Sequence, residues 1–227
     1  MNEGLSAIRC QPSTVAKLRL EPFGSRYYSV NMVTIQDFSE RLSAIPEDEF
    51  THQGVLDYLR RNPVDPETLD PYLFFNADHY TRNLIQHTPL FDLIAICWDV
   101  GQRSPIHNHR DQRCWMAIAY GRVQVQNFKL LCKDAARNYC ELEPTTHFII
   151  DAERPAEVNP EEPIHLVANP ASFDSRAVTL HIYSRPFNTC EVYDLKARRY
   201  QDVILVNTTE YGVLKTELKL EKAALVH

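Results

Sequence analysis

The chain has 227 residues and a formal charge of −6; that length suffices for one full domain, and an all-β domain of this size need not divide in two. No Lys/Arg-rich run is present, which argues against a nucleic-acid or anionic-membrane surface and favours a small solute as partner. The six cysteines, Cys10, Cys97, Cys114, Cys132, Cys140 and Cys190, are scattered without CxxC pairs, so neither a zinc ribbon nor a dense disulfide framework fits and free thiols are expected. The apolar stretches are strand-sized and the first residues lack the continuous apolar core of a secretory signal, so a soluble cytoplasmic protein is expected.

Residues 1–30 show no period and read as an irregular arm. From Thr34 the text TIQDFSERLSAI places Ile35, Phe38, Leu42 and Ile45 at helical spacing behind a Thr N-cap. A second helix is predicted in HQGVLDYLRRN, ended by Pro63, and a third in DPETLDPYLFF. Beyond His79 the pattern changes to short β-rich runs: YTRNLIQ, FDLIAICWDV, CWMAIAYG, RVQVQNFKLL, THFIIDA, PIHLVAN, AVTLHIYSRP, NTCEVYDL and RYQDVILVN, with Gly, Pro, Asp and Asn between them. That many strands predicts a sandwich or barrel over about residues 79–207, after helices over about 34–76, in one domain covering 31–227. The tail EYGVLKTELKLEKAALVH is helix-compatible. No internal repeat is visible.

The segment GQRSPIHNHRDQRCWMAIAYG, Gly101 to Gly121, carries the chemistry. Successive strand side chains alternate in direction, so His107 and His109 share a face with backbones about 6.5 Å apart and can converge on one metal ion. A third histidine, His165, stands in the later run EEPIHLVAN. Taken singly, each of these histidines is more often a core or surface residue than a ligand; a third one in a strand-like run strengthens the pair, and the motif resemblance below makes the three a candidate triad. Three neutral imidazoles accept zinc, iron, nickel or copper, and affinity order alone does not choose among them. Three protein ligands also leave coordination positions for substrate, unlike a closed structural zinc site.

The spacing of Gly101, His107, His109, Cys114 and Gly121 resembles the first motif of the cupin superfamily, with cysteine where most cupins carry a glutamate ligand. Pro160, His165 and Asn169 are similar to the second motif, whose glycine is replaced by Glu162. Further patches, YTRN at Tyr80 to Asn83, Cys97-Trp98, and TLHIYSRPFNTC at Thr179 to Cys190, closely resemble those of the thiol dioxygenases and, within them, the cysteine dioxygenase family. The likeness runs in order from about Tyr72 to Asp194. It implies a mainly β, cupin-type small antiparallel β-barrel with N-terminal α-helices, and dioxygenation of the L-cysteine sulfur to a sulfinic acid.

The resemblance further implies iron(II), one per chain, on His107, His109 and His165, with O2 as co-substrate and no organic cofactor. It gives Arg82 the substrate carboxylate, with Tyr80 in support. Cys114 and Tyr183 become a thioether pair, and Thr179 with His181 a relay to Tyr183. No nucleic acid, membrane or particular oligomer follows from it. Outside that context Arg82 reads as a surface residue with a snorkelling stem, Tyr183 as barrel filling and Cys114 as a small buried hydrophobe. The parity of Thr179, His181 and Tyr183 on one strand face is independent of the resemblance. Two departures stand out: Thr179 where familiar members have serine, and Arg185 where they have a proline that allows a cis peptide bond after Ser184. The charge of Arg185 is expected to bear on substrate preference. A 3-mercaptopropionate-type thiol dioxygenase is the nearest alternative, although such enzymes usually have glutamine at the place of Arg82. A metal-binding cupin without oxygenase activity is the alternative of another class. A zinc hydrolase is disfavoured because no carboxylate in the motifs is placed as a general base.

Overall fold

The computed structural model describes residues 15–17, 32–152, 155–159 and 161–215. Helix α1 (Ile35–Ser43) begins where predicted because the Thr34 hydroxyl accepts the Asp37 N–H, and its buried Ile35, Phe38 and Leu42 share one face. Helix α2 (His52–Arg61) is capped by Thr51 and stops before Pro63. The third predicted helix is instead a 3-10 segment over Pro66–Tyr72. Pro66 and Pro71 supply no N–H, which breaks an α-helical ladder there, and Phe74 and Phe75 pass into a strand.

Strand β1 (Val15–Lys17) pairs antiparallel with β2 (Phe74–Asn76), so part of the arm expected to be irregular is a sheet edge; the rest of residues 1–30 lies outside the described residues. Then follow β3 (Thr81–His87), β4 (Asp92–Trp98), β5 (Ile106–His107), β6 (Arg113–Tyr120), β7 (Val123–Asp134), β8 (Tyr139–Ile150) and β9 (Ala156–Glu157). The chain continues through β10 (Ile164–Ala168), β11 (Ala177–Ser184), β12 (Thr189–Asp194), β13 (Arg199–Ile204), β14 (Thr209–Glu210) and β15 (Val213–Leu214). β8 starts well before the predicted Thr146. It tolerates Pro144 because the register against β7 shifts at that place. The start of the tail is a pair of two-residue strands around Gly212, not a helix; residues 216–227 lie outside the described residues. Among the described residues no helix is long and apolar enough to cross a membrane.

Six strands close a barrel in the order β10-β5-β12-β13-β8-β7, and seven form a sheet in the order β15-β14-β3-β4-β11-β6-β9. Pairing is antiparallel except for β14 on β3. The sheet is buried on both faces, which is why FDLIAICW and AVTLHIY read as nearly continuous apolar runs. One face carries Leu93, Ala95, Cys97, Trp115, Leu180 and Ile182, packed with α1 and α2 residues such as Phe38, Leu42 and Val55. The other carries Ile94, Ile96, Trp98, Cys114, Met116 and Tyr183, packed with barrel residues Val125 and Val167. Strand parity therefore sends Cys97 toward the helices and Cys114 toward the barrel. Gly121 joins β6 to β7 at φ +70, and a Cβ there would lie 2.4 Å from the Arg176 carbonyl oxygen, so only glycine fits.

Candidate metal centre and its cavity

The barrel supplies the three histidines. β5 and β10 lie side by side with His107 opposite His165, and His109 follows two residues on, toward the same side as His107. The Nε2 atoms of His107 and His109 are 3.2 Å apart, and one ring nitrogen from each of the three histidines lies within 4.8 Å of the others. Two rings are oriented by the same device. Nδ1–H of His107 donates to the Pro105 carbonyl at 3.0 Å, and Nδ1–H of His165 to the Pro163 carbonyl at 3.2 Å. A carbonyl only accepts, so both rings carry their proton on Nδ1 and present a bare Nε2.

Burial lowers the pKa of His107 to about 4 and that of His165 to about 3. Burial together with the neighbouring histidines holds His109 well below the usual range. All three imidazoles are neutral near pH 7. Neutral nitrogen donors converging at this separation, two of them with the lone pair fixed, fit a divalent transition metal.

The facing sheet supplies the rest of the site. On β11, Thr179, His181 and Tyr183 are buried and point one way. Trp98 Nε1 donates to Thr179 Oγ1 at 2.9 Å, Thr179 Oγ1 lies 2.8 Å from His181 Nε2, and His181 Nδ1 lies 3.1 Å from the Tyr183 hydroxyl. The indole can only donate, so Thr179 Oγ1 accepts from Trp98. The Thr179 hydroxyl keeps one O–H to give, and directed at His181 Nε2 it leaves His181 with its proton on Nδ1, facing the Tyr183 oxygen as donor. Burial, with the Arg82 charge and the histidine triad, holds His181 neutral. Tyr183 also accepts from Arg82 Nη1 at 3.5 Å, which leaves its own O–H proton to point elsewhere. Burial, with Cys114 alongside, raises the Tyr183 pKa and keeps that proton in place.

Cys114 is the cross-strand partner of Tyr183 in the β6–β11 pairing, and its sulfur lies 3.8 Å from His181 Nδ1. Directly opposed residues bring their Cβ atoms to about 5 Å, a distance at which these two side chains meet. Arg82 on β3 has its guanidinium carbon 5.4 Å from the Tyr183 ring centre. Its Nε is buried without a partner. Tyr80 stacks on Trp98 with ring centres 4.7 Å apart.

All these elements meet at a cavity of about 620 Å³, whose wall includes Tyr80, Arg82, His107, His109, Tyr183, Phe187 and Cys190, with residues 203–208, Leu214 and Lys215 on a further side. The sequence-predicted site residues are thus brought to one place, Thr179, His181, Cys114 and His165 standing immediately behind the wall. Sequence reasoning gave no role to Trp98, although it starts the polar chain, or to Phe187, which packs on both His109 and Tyr183. Both lie in motifs already singled out. The stretch from Val203 to Thr208 reads only as the end of a strand run, and nothing in the sequence marks it as cavity wall. Two expectations about the Ser184 loop change. The Ser184–Arg185 peptide bond is cis without a proline, and the Arg185 N–H, which a proline would lack, donates to Gln112 Oε1 at 2.7 Å. The Arg185 guanidinium pairs with Glu47 on the surface rather than lining the cavity.

Residues 32–196 match the family described as cysteine dioxygenase type I. The chain belongs to that family. Within it, the chain is 30% identical to cysteine dioxygenase type 1 of Bos taurus over 162 residues, 71% of this chain and 77% of the relative. It is 28% identical to the Homo sapiens enzyme of that name over 167 residues, 73% and 81% of the two chains. Family membership makes the chain an oxidoreductase of the dioxygenase class. Among solved structures, a double-stranded β-helix domain protein from Klebsiella pneumoniae superposes with a TM-score of 0.40 at 13% identity, over 52% of this chain and 81% of its own. The barrel described above rests on its own strand pairing, not on that loose superposition.

Proposed function

We propose that the chain is an iron(II)-dependent thiol dioxygenase that adds both atoms of O2 to the sulfur of L-cysteine, giving cysteine sulfinic acid. The observation that carries the substrate reading is Arg82. It is a guanidinium at the cavity wall with a buried, unpartnered Nε, and among the described residues no carboxylate pairs with it. A buried charge without a counter-charge is costly, and an entering carboxylate satisfies it. The planar fork offers two parallel charge-assisted hydrogen bonds, and the Tyr80 hydroxyl supports the same contact.

Iron(II) on His107, His109 and His165 would supply the redox chemistry and favour the thiolate form of the substrate. The electrons come from the substrate sulfur, so neither an organic cofactor nor an external reductant is needed. With its carboxylate fixed by Arg82, the substrate presents its sulfur toward the triad, which makes the encounter of sulfur and oxygen effectively intramolecular. Tyr183, its oxygen already accepting from His181 and Arg82, directs its proton into the cavity as a donor to a ligand oxygen. Phe187 and Val192 help keep water out. In this reading Cys114 and Tyr183 form a thioether. The thiol hydrogen and a ring hydrogen are lost, O2 takes the two electrons, and the bond locks the phenol and raises activity without being required. None of the described cysteines is paired in a disulfide, as a reducing compartment maintains, which supports a cytoplasmic setting.

Turnover of L-cysteine and 3-mercaptopropionate by the same iron-loaded sample tests the substrate. Preference for cysteine supports the role given to Arg82. Preference for 3-mercaptopropionate keeps the site and reverses the substrate, and iron binding without oxygen uptake leaves only a metal-binding cupin.

A further inference from the structure

His109 is held differently from the other two histidines of the triad. His107 and His165 each have a proline carbonyl for Nδ1, whereas Nδ1 of His109 is buried with no hydrogen-bond partner. The Tyr183 and Phe187 rings lie against it, with centres 5.2 and 5.7 Å away. Such contacts limit tilt but give no bond to Nδ1, and Nε2 faces only the His107 Nε2 at 3.2 Å, where a metal ion would sit. Away from that point the direction of this ring depends on where its backbone places it.

Asn108 stands between the two histidines, and strand parity turns its side chain to the opposite face. There its amide has four contacts. Nδ2 donates to Glu191 Oε2 and to the Tyr193 hydroxyl, both at 3.0 Å. Oδ1 accepts the Glu191 N–H at 3.2 Å and the Arg110 N–H at 3.4 Å. Both amide hydrogens and both oxygen lone pairs are used. The Asn108 N–H also donates to the Glu191 carbonyl at 3.2 Å, which carries the β5–β12 pairing one residue past His107. Immediately after His109 the chain turns through Arg110 at φ 48 and Asp111 at φ 64, and the bond from the Arg110 N–H to Asn108 ties that turn down. Asn108 thus fixes the strand end before His109 and the turn after it. Its anchor is itself held: Glu191 takes Lys133 Nζ at 2.6 Å and the Tyr193 hydroxyl at 2.7 Å, with only 14% of the carboxylate side chain exposed.

We propose that Asn108, clamped by Glu191, Tyr193 and Lys133, is a positioning residue that sets the direction of His109 in the metal centre. This inference rests on reading the triad as a metal site. Partners of this kind, one step removed from the ligand, commonly change metal affinity by about 10- to 100-fold.

The test is titration of the metal-free protein with cobalt(II), followed by its visible absorption, beside the thermal unfolding of each metal-free variant. Asn108→Ala and Asn108→Asp should each weaken cobalt(II) binding by about 10- to 100-fold; the lost hydrogen bonds lower the unfolding midpoints of the metal-free variants, so binding is measured at a temperature at which each is fully folded. In Asn108→Asp the amide donors are replaced by a second carboxylate facing Glu191. Adding Glu191→Gln returns a donor from the other side, so the double variant should regain most of the lost affinity. Wild-type affinity in both single variants, or no recovery in the double variant, overturns the proposal. A wild-type protein that binds no cobalt(II), or binds it equally well as His165→Ala, shows instead that the triad is not a metal site, and this inference falls with that reading.

Discussion

Two walls of one cavity use histidine in opposite ways, His107, His109 and His165 on one side and His181 on the other. On the barrel wall, His107 and His165 give Nδ1–H to a proline carbonyl two residues upstream and leave Nε2 bare. On the sheet wall, His181 uses both ring nitrogens, one toward Thr179 and one toward Tyr183. The residue type does not decide the role; the partner of the second nitrogen does. The barrel wall can accept a cation, while the sheet wall conveys hydrogen-bond polarity to a phenol and presents Arg82.

The largest effect expected from breaking this contrast is on the barrel wall. His165→Ala removes one of three nitrogens, and iron(II) affinity measured anaerobically should fall by more than about 100-fold, beyond the range for residues that only support a ligand. His181→Ala should leave iron(II) affinity within a few-fold of wild type while lowering kcat; equal loss in the two variants would show that the walls do not differ in role.

Next comes Arg82. Charge-assisted hydrogen bonds contribute about 1.5–3 kcal/mol each, so Arg82→Gln should lower kcat/KM for L-cysteine on the order of 10²-fold and shift preference toward 3-mercaptopropionate. Unchanged cysteine kinetics would remove Arg82 from the substrate site.

Smaller still is the start of the polar chain. Trp98→Phe deletes a neutral donor of about 1 kcal/mol, and kcat should drop roughly fivefold with KM nearly constant. A change confined to KM would contradict the polarity argued for Thr179, His181 and Tyr183.

The smallest effect concerns the far face of the sheet. Burial raises Cys97 from 9.0 to about 12, only partly offset by hydrogen bonding. The folded state therefore holds this proton more tightly than the unfolded state. The stability it contributes is intact below about pH 9 and is lost as pH rises toward 12. At pH 8, alkylation followed by peptide mass spectrometry should label exposed Cys132 and leave Cys97 unmodified; equal labelling would show that Cys97 is not sealed between sheet and helices.

Much of this was legible in the sequence because it is local. The His107-x-His109 pair and the Thr179, His181, Tyr183 alternation follow from strand parity, the cap of α1 from Thr34 and the end of α2 from Pro63. His165, Arg82 and Cys114 needed the family resemblance, since nothing in the spacing of residues 82, 114 and 165 says that their strands adjoin. The bond between Trp98 and Thr179, and the clamp from Glu191 onto Asn108, depend on register between strands that are distant in the chain, which no periodicity encodes. The third helix failed for a local reason, two prolines in seven residues, that its apolar pattern had concealed.

The most direct test of the central claim is turnover of L-cysteine by the iron-loaded protein under ¹⁸O2, with oxygen uptake and product mass followed together. The account predicts one O2 consumed per product and both labelled atoms in the sulfinate. A product carrying one labelled atom or none, or uptake that persists unchanged in His165→Ala, would contradict it.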